Sequence, residues 1–96
     1  QRATRQRNRT MPNDTPTAAE IDAHFDAMDD SVSLINATVA DDSEALVNQT
    51  AAEVKLMVTR NTDHLELQLG KDWAIADNRS KTSYTDAITA GKAYVG

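Results

Sequence analysis

The sequence contains no cysteine, so disulfide bonds and thiolate chemistry are excluded. It has only three glycines, and they form no phosphate-binding loop motif. Aromatic residues make up 4% of the 96 residues, so any core must be built mainly from Val, Leu, Ile, Met and Ala. No apolar run approaches the ~20 residues that span a bilayer. We therefore expect a soluble protein with one small domain and no membrane partner.

Charge is distributed unevenly along the chain. Residues 1–10 contain no acid, whereas the rest of the chain has six basic and fifteen acidic residues, a balance of −9. Such an acidic body argues against a nucleic-acid duplex as its partner. Residues 1–16 contain both prolines and little that is apolar, which predicts a disordered arm. The arm's candidate phosphate contacts are Arg2, Arg5, Arg7 and Arg9, although terminal charges are commonly just solvated.

The first predicted helix covers residues 17–40. Thr17-Ala18-Ala19-Glu20 has the S/T-x-x-E form of a capping box, which is typical of a helix start. Apolar residues then recur at alternating spacings of 3 and 4, the heptad pattern of a coiled coil. This first seam consists of Ala18, Ile21, Phe25, Met28, Val32, Ile35 and Val39.

A second helix is predicted over residues 43–76. The segment 41–44 (Asp-Asp-Ser-Glu) offers several helix caps, and so short a connection predicts an antiparallel helical hairpin. Gly70 either interrupts this helix or ends it. Continuation is favoured because Trp73 and Ala76 keep the apolar stripe in phase. The second seam is Val47, Ala51, Val54, Val58, Asn61, Leu65, Leu69, Trp73 and Ala76.

A short third helix is predicted over residues 83–95, after a turn at 77–80. The second helix would be roughly 50 Å long and the first roughly 36 Å, so the first cannot cover all of the second. The third helix is therefore expected to cover the distal end of the second, near Trp73. The sequence thus predicts an all-α fold: one domain, residues 17–96, with a helical hairpin completed by self-association into a bundle.

The candidate interaction residues are large side chains that the hairpin leaves without cover. Leu34, Leu56 and Leu67 fall outside both seams, and Trp73 lies beyond the reach of the first helix. Asn61 lies on the second seam between Val58 and Leu65, where it has two interpretations: it fixes register when buried, or it is solvated at the edge. We predict a homo-oligomer, with a dimer favoured.

No residue pattern predicts catalysis, a cofactor or a metal. Glu20 and His24 are one helical turn apart, which is more typical of an ordinary carboxylate–imidazole pair than of a zinc site. His64 has Arg60 one turn before it, and a cation beside a proposed ligand argues against a metal. With two histidines on different helices and no cysteine, we expect a protein that is not an enzyme.

Two stretches resemble a family. Residues 58–73 carry R-N-x-x-H-L-E-x-x-L-x-K-D, and residues 87–95 carry A-x-x-x-G-K-A-Y. These motifs resemble small uncharacterised helical proteins of tailed bacteriophages and marine phage-like metagenomic sequences, in which Ala often stands where this chain has Gly70. The resemblance implies a bacterial host cell or a virion as the location, with other virion proteins as partners. It implies no activity.

Two functional hypotheses follow. The leading one is a helical interaction module that self-associates and serves as a viral structural or accessory protein. The alternative is a nucleic-acid-associated protein that uses the arginine arm as a tether.

Overall fold

A computed structural model describes residues 15–96 of the chain. The predicted disordered arm, with its four arginines, therefore lies almost entirely outside the described residues. Within 15–96 the fold is all-α, as predicted, and no strand occurs there. The helices are α1 (Ala18–Ala40), α2 (Ala51–Leu69), α3 (Asp72–Ala76) and α4 (Thr82–Val95), with a 3₁₀ turn at Ala45–Val47 between α1 and α2.

Helix α1 begins as its sequence predicts. The Thr17 hydroxyl accepts a hydrogen bond from the Glu20 backbone N–H, and the Glu20 carboxylate accepts one from the Thr17 N–H, so the capping box is complete. The buried stripe is wider than the predicted seam because both α2 and α4 pack on α1. Ser31 and Thr38 are buried, whereas Val39, on the predicted seam, is 38% exposed.

The predicted start of the second helix at residue 43 is wrong. Helix α2 begins at Ala51, with Thr50 as N-cap and Glu53 completing a second capping box. Its four residues, Thr-Ala-Ala-Glu, repeat those that begin α1. The acidic segment instead forms a turn, in which the Asp41 carboxylate accepts a hydrogen bond from the Ser43 N–H. Val47, predicted on the seam, is 74% exposed in the connection.

The predicted continuation of the second helix to residue 76 is also wrong. Helix α2 ends at Leu69, and Gly70 is its C-cap. Lys71 has extended backbone angles (φ −75°, ψ 146°), so the chain changes direction before α3 begins. Glycine is the poorest helix former after proline, by about 1 kcal/mol relative to alanine, which favours a break at this position.

Helix α4 packs along the bundle rather than only on the distal end of α2. It contacts both α1 and α2, whose own contact forms the predicted hairpin, so the three long helices pack pairwise. The Tyr84 hydroxyl reaches Asp29 and the Tyr94 hydroxyl reaches Asp42, so α4 runs parallel to α1. Helix α4 has 14 residues, compared with 19 in α2 and 23 in α1, so it covers part of each.

Gly91 permits the close approach of α4 to the other two helices. It is buried, and a Cβ at this position would lie 2.3 Å from the Thr62 Oγ1 and 3.4 Å from side-chain carbons of Ile35 and Val58. The Thr62 side chain therefore occupies the space that a side chain at position 91 would need. No helix within residues 15–96 combines the length and the apolar character needed to cross a membrane.

Candidate functional site

A polar cluster joins α1 to α2 at mid-bundle. The Ser31 hydroxyl is 2.9 Å from the Asn61 Oδ1 and 2.9 Å from the His64 Nδ1. The Asn61 Nδ2 donates to the Met57 carbonyl at 2.9 Å, which fixes the amide so that its oxygen faces Ser31. Ser31 is 5% exposed, whereas Asn61 and His64 are half-buried.

The direction of these hydrogen bonds determines what Ser31 can do. The Asn61 oxygen only accepts, so the single Ser31 proton is donated to it. The His64 Nδ1 must then carry a proton and donate to the Ser31 oxygen. A nucleophilic serine needs the reverse arrangement, in which histidine accepts the hydroxyl proton. As arranged, the cluster connects two helices and does not activate Ser31.

An aromatic cluster lies where α3 meets the N-terminal half of α1. The Trp73 ring stacks on His24, with centroids 4.8 Å apart and planes at 21°. Phe25 meets the edge of Trp73 at 5.6 Å and packs against Tyr84 at 5.7 Å. These distances are those of favourable aromatic pairs. Three of the chain's four Phe, Trp and Tyr side chains are thus concentrated at one end of the bundle, and the fourth, Tyr94, lies at the other end.

Arg79 closes this cluster from the α3–α4 connection. Its guanidinium lies 4.0 Å from the Phe25 ring centroid and forms 2.8 Å ion pairs with Asp22 and Asp77. Hydrogen bonds from Arg79 hold the pKa of Asp77 below its usual range, and the same bonds raise the pKa of Arg79. Arg79 is 57 positions from Asp22, so no local sequence pattern could have indicated this contact.

Tyr84 packs at the inner side of this cluster with a strongly shifted pKa. Burial, followed by the 2.7 Å hydrogen bond that its hydroxyl donates to Asp29, raises the pKa of Tyr84 to about 12. The hydroxyl is therefore neutral at ordinary pH and serves as a fixed donor. It connects α4 to α1 and is unsuited to act as a base.

Among residues 15–96, neither histidine lies in a group of possible metal ligands. In the part of the chain that the structure describes, no three His, Cys, Asp or Glu side chains gather closely enough to hold a metal ion. Glu20 and His24 share no direct hydrogen bond or ion pair, although His24 adds a Coulombic contribution to the lowering of the Glu20 pKa, after the hydrogen bonds with Thr17. Glu20 is used in the capping box, which lowers its pKa, and the His24 ring stacks on Trp73. That the protein binds no metal in solution stays a prediction.

The predicted interaction residues fall into two groups. Leu34, Leu56 and Leu67 are 38%, 47% and 61% exposed, so they are apolar groups in contact with solvent. Asn61 and Trp73 are half-buried and make their contacts within the chain, Asn61 to Ser31 and Trp73 to the core. The predicted phosphate contacts Arg2, Arg5, Arg7 and Arg9 lie outside the described residues.

Two surface depressions accompany these groups. A groove of about 330 Å³ runs beside Leu56 and is lined by Gln49, Glu53, Leu56, Met57, Arg60 and Asn61. A smaller one, about 150 Å³, lies between α2 and α4 near Gly91. Neither contains a convergent set of buried polar groups that would orient a small substrate.

Comparison with known proteins finds no matching family model, no matching curated protein and no matching solved structure. The resemblance of residues 58–73 and 87–95 to small phage proteins is therefore not tested by these comparisons and stays a prediction.

Proposed function

We propose that this chain is a non-catalytic helical interaction module that self-associates through its exposed leucines. The supporting observation is that Leu34, Leu56 and Leu67 remain in solvent although α4 packs against both α1 and α2. Self-association is thus not needed to complete the core. It would instead use a surface that the folded bundle presents.

The energetics favour such an association. Complete burial of an exposed leucine contributes roughly 1.5–3 kcal/mol. Leu56 and Leu67 retain about half of their surface in water, so a partner could recover about half of that contribution from each. In a two-fold pairing each copy buries the same residues, so this free energy is gained twice. Two-fold symmetry is also the commonest symmetry of homo-oligomers. If the phage resemblance holds, a structural or accessory role in a virion would suit such a module.

Mass measurements on the full chain test the proposal. Light scattering coupled to size exclusion should show a molar mass that rises from 10.5 kDa to twice that value between low and high micromolar concentration. The double variant Leu56→Gln/Leu67→Gln should remain monomeric with an unchanged circular dichroism spectrum. Val47→Gln is the matched control, because Val47 is 74% exposed but lies outside α2. A wild-type protein that stays monomeric at high micromolar concentration would contradict the proposal.

A second candidate function follows from the four arginines in residues 1–10. Residues 11–96 have a charge balance of −9, so these arginines are the chain's main concentration of positive charge. A tether of this kind would bind nucleic acid weakly and with strong salt dependence. Fluorescence anisotropy with a labelled duplex, at two salt concentrations, should show binding that disappears when residues 1–10 are deleted. If deletion changes nothing, the tether hypothesis fails and the interaction module is unaffected.

A further inference from the structure

The exposed face of α2, called the outer face here, lies opposite the buried residues of this helix and has an unusual order of residues. It consists of Leu56, Arg60, Asp63 and Leu67, and all four are exposed. Their spacings are 4, 3 and 4, so at roughly 100° per residue they fall within an arc of about 60°. These are the core-position spacings of a coiled coil, with a leucine at each end and opposite charges between them. One member of the outer face, Asp63, also lines the depression between α2 and α4.

The order reads symmetrically from either end. Leu56 and Leu67 are equally far from a point between Asn61 and Thr62, and so are Arg60 and Asp63. If a second copy of α2 lies antiparallel across this point, Leu56 faces the partner's Leu67 and Arg60 faces the partner's Asp63. A two-fold axis produces each contact twice. The face is therefore complementary to itself: its leucines meet leucines, and its charged residues meet residues of opposite charge.

The charges of this face are available for a partner. Arg60 and Asp63 are three positions apart on one helix, yet the ion pairs found among residues 15–96 are Arg79 with Asp22 and Asp77, and Lys92 with Glu66. The Leu56 groove continues this face along the α1 side. A second copy of this chain matches the face better than an arbitrary helix would, because it supplies the opposite charge at each charged position.

We infer that two copies of the protein pair through antiparallel α2 helices, with Leu56 against the partner's Leu67 and Arg60 against the partner's Asp63. This inference rests on the proposed self-association and specifies its geometry. The leucines contribute the apolar contact, and the ion pairs select the orientation and reject a parallel pairing, which would place Arg60 against the partner's Arg60. The face is short, so the dimer is expected to be weak and concentration-dependent.

Charge exchange tests this geometry. Arg60→Glu places a carboxylate opposite the partner's Asp63, and Asp63→Arg places a guanidinium opposite the partner's Arg60. Each variant alone should have its dimer dissociation constant raised by about tenfold or more, since the repulsion occurs twice. An equimolar mixture of the two variants should form a heterodimer in preference to either homodimer, because the like-charge contacts of the homodimers are relieved. The double variant Arg60→Glu/Asp63→Arg should regain the homodimer, because both of its contacts again join opposite charges.

Sedimentation equilibrium, with one variant carrying a fluorescent label, measures the homodimer and heterodimer constants. Lys55→Glu and Asp86→Arg are matched controls, because they change net charge equally at exposed positions off this face and should leave the dimer unchanged. If Leu56→Gln/Leu67→Gln gives a monomer while the charge variants dimerise normally, self-association stands and this geometry is overturned. If the double charge variant fails to regain the homodimer, the geometry is equally overturned. A monomeric wild type would overturn both proposals.

Discussion

Two leucines of α2, two positions apart, meet opposite surroundings. Leu65 is completely buried in the core, whereas Leu67 is 61% exposed on the outer face. The inner face is completed by other parts of the same chain, and the outer face is not. Hydrophobicity alone therefore does not determine which leucines of this helix stabilise the monomer. Their position relative to α1 and α4 determines it.

The largest expected loss of stability tests the contrast between Leu65 and Leu67 directly. Leu65→Ala should lower the free energy of unfolding by roughly 2–5 kcal/mol, because it removes buried methyl groups and leaves a cavity. Leu67→Ala, the matched control on the same helix, should change it by less than about 0.5 kcal/mol. Urea denaturation at low micromolar concentration, where the dimer is dissociated, measures both. Equal losses would mean that the outer face is already covered within the monomer.

A smaller effect is expected where α4 approaches the inner face. Gly91→Ala places a Cβ 2.3 Å from the Thr62 oxygen, so α4 must shift, at a cost of roughly 1–3 kcal/mol. Gly70→Ala meets nothing closer than 3.6 Å and has a backbone φ of −82°, which alanine adopts easily. It should stabilise the protein by about 0.4–1 kcal/mol. Thermal unfolding of both variants checks the contrast, which an undiminished stability of the Gly91→Ala protein would contradict.

A further, modest loss of stability is expected at the polar cluster that joins α1 to α2. Ser31→Ala leaves the Asn61 oxygen and the His64 Nδ1 without their shared partner, which should cost about 1–2 kcal/mol. Ser33→Ala, two positions along α1 at an exposed site, should be near neutral. Chemical denaturation of the two variants in parallel measures the difference. If both are neutral, the cluster contributes nothing to joining α1 and α2.

The sequence predicts the helices better than their ends. The capping box at Thr17 stands out because an unbroken apolar seam follows it. The same four residues at Thr50 do not stand out, because residues 41–44 offer earlier caps and Val47 is in phase with the second seam. Trp73 continues the apolar spacing of the second seam, so the pattern favours a helix that runs through Gly70. A break followed by the short helix α3 brings Trp73 to the core equally well.

The contacts between distant residues are largely beyond sequence reasoning. Ser31 is one position before the seam residue Val32, and nothing local distinguishes it from an exposed serine such as Ser33. Its burial follows from the presence of two flanking helices, which widen the covered face of α1. The contacts of Arg79 with Asp22 and Phe25 depend on a chain reversal that only the folded bundle provides.

The stacking of Trp73 on His24 has a practical consequence. Trp73 is the chain's single tryptophan, so its fluorescence arises from one place, the junction of α3 with α1. Undocking of α3 would change the emission wavelength and the quenching by the neighbouring imidazole. The outer face of α2 contains no indole. An optical signal from one end of the bundle can therefore follow folding in the same sample in which mass follows association.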